Sequence, residues 1–231
     1  MSGYENLSEQ CSKNLIIYTK HLENLRKNIE DIEQAKLLLL EVNPSIDISD
    51  FIEMEQFNNY NGYVTIAILE LSVNLKNLIL SKTDWGKAFF IKNSFLTIHE
   101  TAKKLKPFKG KSIIENTVKR NFSALEADLQ SLFDKIDTFR NDDKYKKIST
   151  TRHTIAGHIE DSLKVYYDAV MKLDGEEAGC LISKFLKILN KALFLTSDYA
   201  IMADVHQKEK SQVIDSTLRS LLTKIQDLIK E

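Results

Sequence analysis

Two side chains six positions apart, Arg152 and His158, are the residues of this chain whose types best suit chemistry beside a phosphate. An imidazole has an ordinary pKa of about 6.5 and can take or give a proton near neutrality. A guanidinium keeps its charge and offers a rigid fork of donors to phosphate oxygens. Placed on a helix at about 100° per residue, Ile148, Ile155, Ile159, Tyr166 and Val170 fall within about 60° of one another and mark a buried stripe. Arg152 lies about 30° from the middle of that stripe, His158 about 90° away on its flank, and His153 roughly opposite the core. An arginine so placed must meet a carboxylate, a phosphate or water, because it cannot shed its charge. Ala156 and Gly157 leave room for another helix or a second subunit beside His158. Gly157 costs about 1 kcal/mol of helix stability relative to alanine, which implies a use for the gap. The plainer reading pairs Arg152 with an acidic residue and makes His158 an ordinary interface contact.

Charge adds a second feature. Lys103, Lys104, Lys106, Lys109, Lys111, Lys119 and Arg120 face the single acid Glu115 over residues 103–120. Lys144, Lys146 and Lys147 precede Arg152, partly offset by Asp142 and Asp143. If the turn after the third helix lies beside the start of the fifth, these cations form a phosphate path; otherwise they are a solvated lysine-rich turn. Lys103, Lys104, Lys106, Lys109, Lys111 and Lys147 are the phosphate-binding candidates. Tyr145, Tyr166 and Tyr167 either stack on a base or pack in a core. Trp85, Phe89 and Phe90 open the third helix and are expected to pack or cover an interface. His21 and His206 sit on polar flanks, and His99, nearer an apolar stripe, reads as a structural histidine.

Other signatures are absent from the sequence. It has no GxGxxG or GxxxxGK loop, no HExxH and no CxxC. His99-Glu100 begins like a zinc-binding helix, but Lys103 stands where the second histidine belongs. Neither a metal nor a cofactor is expected. Cys11 and Cys180 have no pairing or metal spacing and fit a reducing compartment, so a cytoplasmic location is expected. Met1 to Gln10 is polar and acidic, unlike a signal peptide, and the longest unbroken apolar run is the five residues Tyr199 to Ala203, so no membrane partner is expected.

The elements that must position these residues are helices. The chain has 231 residues, 43% hydrophobic and 28% charged, with a net charge of -1. This composition excludes a disordered or collagen-like chain and argues against a protein that coats nucleic acid by charge alone. Only seven glycines and two prolines occur, and apolar residues recur at helical spacing nearly throughout. The pattern predicts an all-α, up-and-down antiparallel helical bundle with additional helices, in a single domain over 1–231. The first helix is predicted over 7–40, ending before Asn43-Pro44, and residues 43–62 read as irregular with a short helix across 50–57. A second helix is predicted over 63–80, with Ile66, Leu69, Val73 and Leu80 apolar. The third, capped by Thr83 or Asp84, carries Ala88, Ile91, Phe95, Ile98 and Ala102. Ser112 and Glu115 form a capping box for a fourth, which continues through Phe122, Leu125, Leu129, Leu132 and Ile136 to Phe139. Three more are predicted over 145–173, 177–204 and 211–229, the last with Leu218, Leu221, Ile225 and Leu228.

The segment from Arg152 to His158, with five residues between, resembles the Arg-x(4–6)-His motif of the HEPN superfamily, all-helical domains. The run Arg-polar-x-Ile-Ala-x-His looks like the branch of abortive-infection proteins of the AbiU type. His153 stands where members commonly carry asparagine or aspartate, and is a supporting candidate beside the pair. The resemblance implies a HEPN-like core over about 60–200 with flanking helices at 1–40 and 208–231. It also implies a homodimer that brings two motifs together, and a metal-independent endoribonuclease of toxin or phage-defence type. In such an enzyme Arg152 and His158 are catalytic, the partners are RNA and an antitoxin or defence-system protein, and attack by the 2′-OH leaves a cyclic phosphate. Two other readings use the same residues: a non-catalytic helical interaction or scaffolding module with a structural Arg152, and a nucleotide-binding bundle that needs the basic turn but no cleavage.

Overall fold

The computed structural model describes residues 3–105, 122–151 and 162–230, which form seven helices and no strand. They are α1 (Gly3–Val42), α2 (Ser49–Leu80), α3 (Asp84–Lys104), α4 (Ser123–Asn141), α5 (Asp143–Thr151), α6 (Leu163–Met171) and α7 (Gly175–Lys230). The all-α expectation holds. Arg152, His153, His158, Lys106, Lys109 and Lys111, together with the Ser112–Glu115 capping box, lie outside the described residues.

α2 is the central element, packed against α1, α3 and α7. Its buried apolar residues are Tyr60, Val64, Ala67, Ile68, Leu71, Leu75 and Leu78, a helical stripe with Ala67 and Ile68 side by side. The sequence points to the other side of this helix. Ile66, Val73 and Leu80 are 45%, 40% and 57% exposed, because the neighbouring helices close on the Val64–Leu71 face. One window of α2 is long and apolar enough to cross a membrane by length and composition, with mean hydropathy 1.4, and half of that window is buried in the bundle.

Residues 49–62, expected to be irregular apart from a short helix across 50–57, are instead nearly the first four turns of α2. Asn58 and Asn61 favour turns by type, yet both are buried here. Bonds within the helix and one to α7 meet their polar groups. Asn58 Nδ2 donates to the Met54 carbonyl at 3.0 Å, and Thr65 Oγ1 donates to the Asn61 carbonyl at 2.7 Å. Thr196 Oγ1 of α7 lies 2.5 Å from Asn61 Oδ1 and 2.9 Å from the Leu193 carbonyl. At that distance the Thr196 hydroxyl donates to Asn61 Oδ1, with the Leu193 carbonyl as its second, longer acceptor.

α1 lies along α2 through a narrow seam, with Cys11, Leu25 and Ile32 buried and Tyr18 partly so, at intervals of seven. Tyr18 also donates to Asn190 Oδ1 of α7 at 2.6 Å. Tyr199 gathers the far end. Its ring stacks on Phe57 at 5.2 Å, meets Phe122 edge-on at 5.9 Å, and its hydroxyl donates to the Glu53 carboxylate. Of the expected apolar positions, Ile91 and Phe95 of α3, Leu129 and Ile136 of α4, and Ile182, Phe185, Leu189 and Leu193 of α7 are buried, and Ile188 of α7 is partly so.

Three boundaries differ from the sequence pattern. The fourth helix does not run through Phe122, which is the N-cap of α4 at φ -81°, ψ 62°. The helix predicted over 145–173 is not one rod, because Ser162 is extended at φ -91°, ψ 105° and caps α6 by accepting from Val165 N at 3.5 Å. The stripe that joined Ile148 to Tyr166 and Val170 therefore does not belong to one helix. The predicted sixth and seventh helices are one, α7, whose backbone continues through residues 205–210. The side chains of Leu218, Leu221, Ile225 and Leu228 lie outside those described.

Helix starts are set locally. Thr83 accepts from Gly86 N at 3.1 Å, and Asp174 Oδ1 accepts from Glu177 N at 2.8 Å. The buried Asn61–Thr196 contact yields a stability prediction. Thr196→Val keeps the shape and strips Asn61 of its partner, so urea unfolding should show a loss of about 1–3 kcal/mol. Adding Asn61→Leu should recover part of it, since both polar groups are then gone.

Candidate functional site

α5 is the helix that leads to the motif; Thr151, its last residue, immediately precedes Arg152. Its buried face is Tyr145 and Ile148, and it rests on α3 and α4. Asp142 starts the helix by accepting from Lys144 N at 2.8 Å.

The contact with α3 is built on aromatic groups. The Tyr145 ring lies parallel to the His99 imidazole, with centroids 5.9 Å apart and planes 7° from each other. The Tyr145 hydroxyl stands 3.4 Å from His99 Nδ1. The Arg140 guanidinium, from the last turn of α4, acts on the same phenol by its charge. Burial pushes the Tyr145 phenol above its ordinary value, Arg140 pulls it partly back, and the Glu100 carboxylate adds a further push upward. The Arg140 Nε is itself buried and makes no hydrogen bond among the described residues. Phe139 meets Tyr145 at 5.8 Å and Phe185 of α7 at 5.1 Å, which ties this junction into the main core. Tyr63 of α2 closes the other side, donating to the Glu100 carbonyl at 3.1 Å.

The basic candidates divide. Lys103 is exposed, with no ion pair among the described residues. Lys104 is 3.7 Å from Glu100, one helical turn back, and Lys147 bridges to Glu177 Oε1 of α7 at 3.1 Å. Both pairs are largely solvent-exposed, so an incoming phosphate competes with weak contacts. The lysine-terminated end of α3 thus lies on the helix that packs against α5. His99 has the structural role expected of it. His21 does not fit its expected polar flank: it is half-buried, and burial lowers its pKa.

Sequence reasoning missed the junction of His99, Arg140 and Tyr145. These residues come from three helices, and no spacing along the chain links them. The contact does carry a testable energetic signature. Tyr145→Ala should lower unfolding stability by about 3–5 kcal/mol in urea titrations, whereas Tyr145→Phe keeps the stack and should cost about 1 kcal/mol. No known family model matches the chain, and no curated protein or solved structure matches it.

Proposed function

We propose that this chain is a metal-independent endoribonuclease of toxin or phage-defence type, acting in the cytoplasm as a homodimer under the control of an antitoxin or defence-system partner. The observation that carries this reading is the packing of α5, which ends one residue before Arg152, against α3, whose last turn carries Lys103 and Lys104. That packing brings two lysines to the helix that leads into the motif, meeting it at Tyr145, and so supports a phosphate-handling role. Arg152 binds non-bridging oxygens and neutralises the charge that builds on phosphorus. His158 takes the proton of the 2′-OH, and as the leaving oxygen departs it returns a proton, giving a 2′,3′-cyclic phosphate. The Tyr145–His99 contact holds α5, the helix that leads to the motif, on α3, with Arg140 of α4 near the same phenol.

A second reading, a non-catalytic interaction module, is favoured by one observation. α2 and α3 leave an open groove of about 460 Å³, lined by Leu69, Glu70, Val73, Asn74, Asn93, Leu96 and Thr97, beside the outward Ile66 and Leu80.

Incubation with mixed single-stranded RNA in EDTA separates the two. The wild-type chain should generate cyclic-phosphate ends, and Arg152→Ala and His158→Ala should each slow cleavage by about 100-fold or more. A folded wild-type chain that leaves every RNA intact would put the interaction module ahead.

A further inference from the structure

Away from the α3–α5 junction, the first turns of α3 carry an aromatic surface. Trp85, Phe89 and Lys92 follow at steps of four and three and share one face of the helix. Trp85 is 52% exposed and Phe89 56%. α6 docks alongside, with Ala88 and Val170 buried between the helices. The Tyr167 ring meets the Trp85 indole edge-on, at 6.1 Å and 71°. Lys92 Nζ lies 5.8 Å from the centre of the Tyr166 ring and 3.4 Å from its hydroxyl.

The Thr83 cap starts the helix that bears Trp85, accepting from Gly86 N at 3.1 Å. Large aromatic groups left side by side in water mark a place where something lands.

Charge indicates the occupant. Over Ser81–Lys92 and Ser162–Lys172 there are five lysines, Lys82, Lys87, Lys92, Lys164 and Lys172, against Asp84 and Asp168. Only Lys87 has an ion pair among the described residues, to Asp84 at 3.7 Å. A surface made for another protein would be depleted in lysine at such a centre. Aromatic faces fringed by lysine are instead the combination that takes single-stranded nucleic acid, with bases on the rings and phosphates on the ammonium groups.

We infer that Trp85, Phe89 and Tyr167 form a stacking platform for an unpaired nucleobase of single-stranded RNA, with Lys92 and Lys164 taking the flanking phosphates. The inference rests on the ribonuclease reading for its biological use and names how that substrate is held. Chain connectivity keeps the two sites close: the backbone from His158 to Ser162 spans at most about 14 Å, so the platform lies within a short length of strand from the proposed reaction.

Trp85 is the chain's only tryptophan, so its emission reports on this surface alone. The full-length His158→Ala chain should be titrated with single-stranded oligouridylate and oligoadenylate dodecamers. Tryptophan emission should be quenched saturably, in step with the anisotropy of labelled RNA, and the affinity should fall as salt rises. Trp85→Ala and Tyr167→Ala, with circular dichroism unchanged, should each weaken binding by about tenfold, and Trp85→Phe should restore most of it. RNA bound with Trp85 emission unchanged, or no RNA bound at all, would overturn the platform. So would a blue shift that grows with protein concentration alongside dimer formation, which would mean that a second copy covers the face. Failure of the nuclease reading looks different: quenching and binding persist, and the wild-type chain cuts nothing. Cleavage with an unchanged KM in Trp85→Ala would remove the platform and leave the nuclease.

Discussion

The structure depends on taking α2 out of water. Helices close around it on three sides, and the cost of that burial falls on its polar groups. Asn58, Asn61 and Thr65 meet it with hydrogen bonds to backbone or to α7. Tyr60 and Ser72 do not: their hydroxyls are buried with no partner among the described residues, and burial drives the Tyr60 phenol far above its ordinary pKa. Apolar contacts alone would let three long helices slide past one another by a turn. The Asn61–Thr196, Tyr18–Asn190 and Tyr199–Glu53 contacts each exist in one register only, so they select it.

Much of this was legible from the residues. The helical class, the Thr83 cap and the buried stripes of α3, α4 and α7 follow from spacing that any amphipathic helix shows. α2 departs from the sequence pattern in two ways, both for the same reason. Residues 43–62 look irregular when each is weighed alone, and only the Thr196 side chain, 135 positions away, shows what Asn61 is for. Likewise, Ile66 and Val73 look as apolar as Ile68 and Leu75, and nothing local says which face the neighbours will cover. The break at Ser162 was masked by apolar residues on both sides that happen to stay in phase.

The candidate site shows the same division. Arg152 and His158 stand out in the sequence because their chemistry is in their types and spacing. The His99–Tyr145–Arg140 junction has no such signature. It is a product of packing: α5 meets α3 through the Tyr145–His99 ring contact, buries Ile148 beside it, and has the Arg140 guanidinium of α4 near the same phenol.

α7 adds a mechanical property to the bundle. Glu177 meets α5 near its beginning, and Tyr199 meets α2 and Phe122 about 33 Å further along the same rod. No glycine or proline follows Gly179 in the sequence, so the helix has none of the usual residues at which to bend. Any curvature of this helix is therefore spread along its length rather than gathered at one hinge.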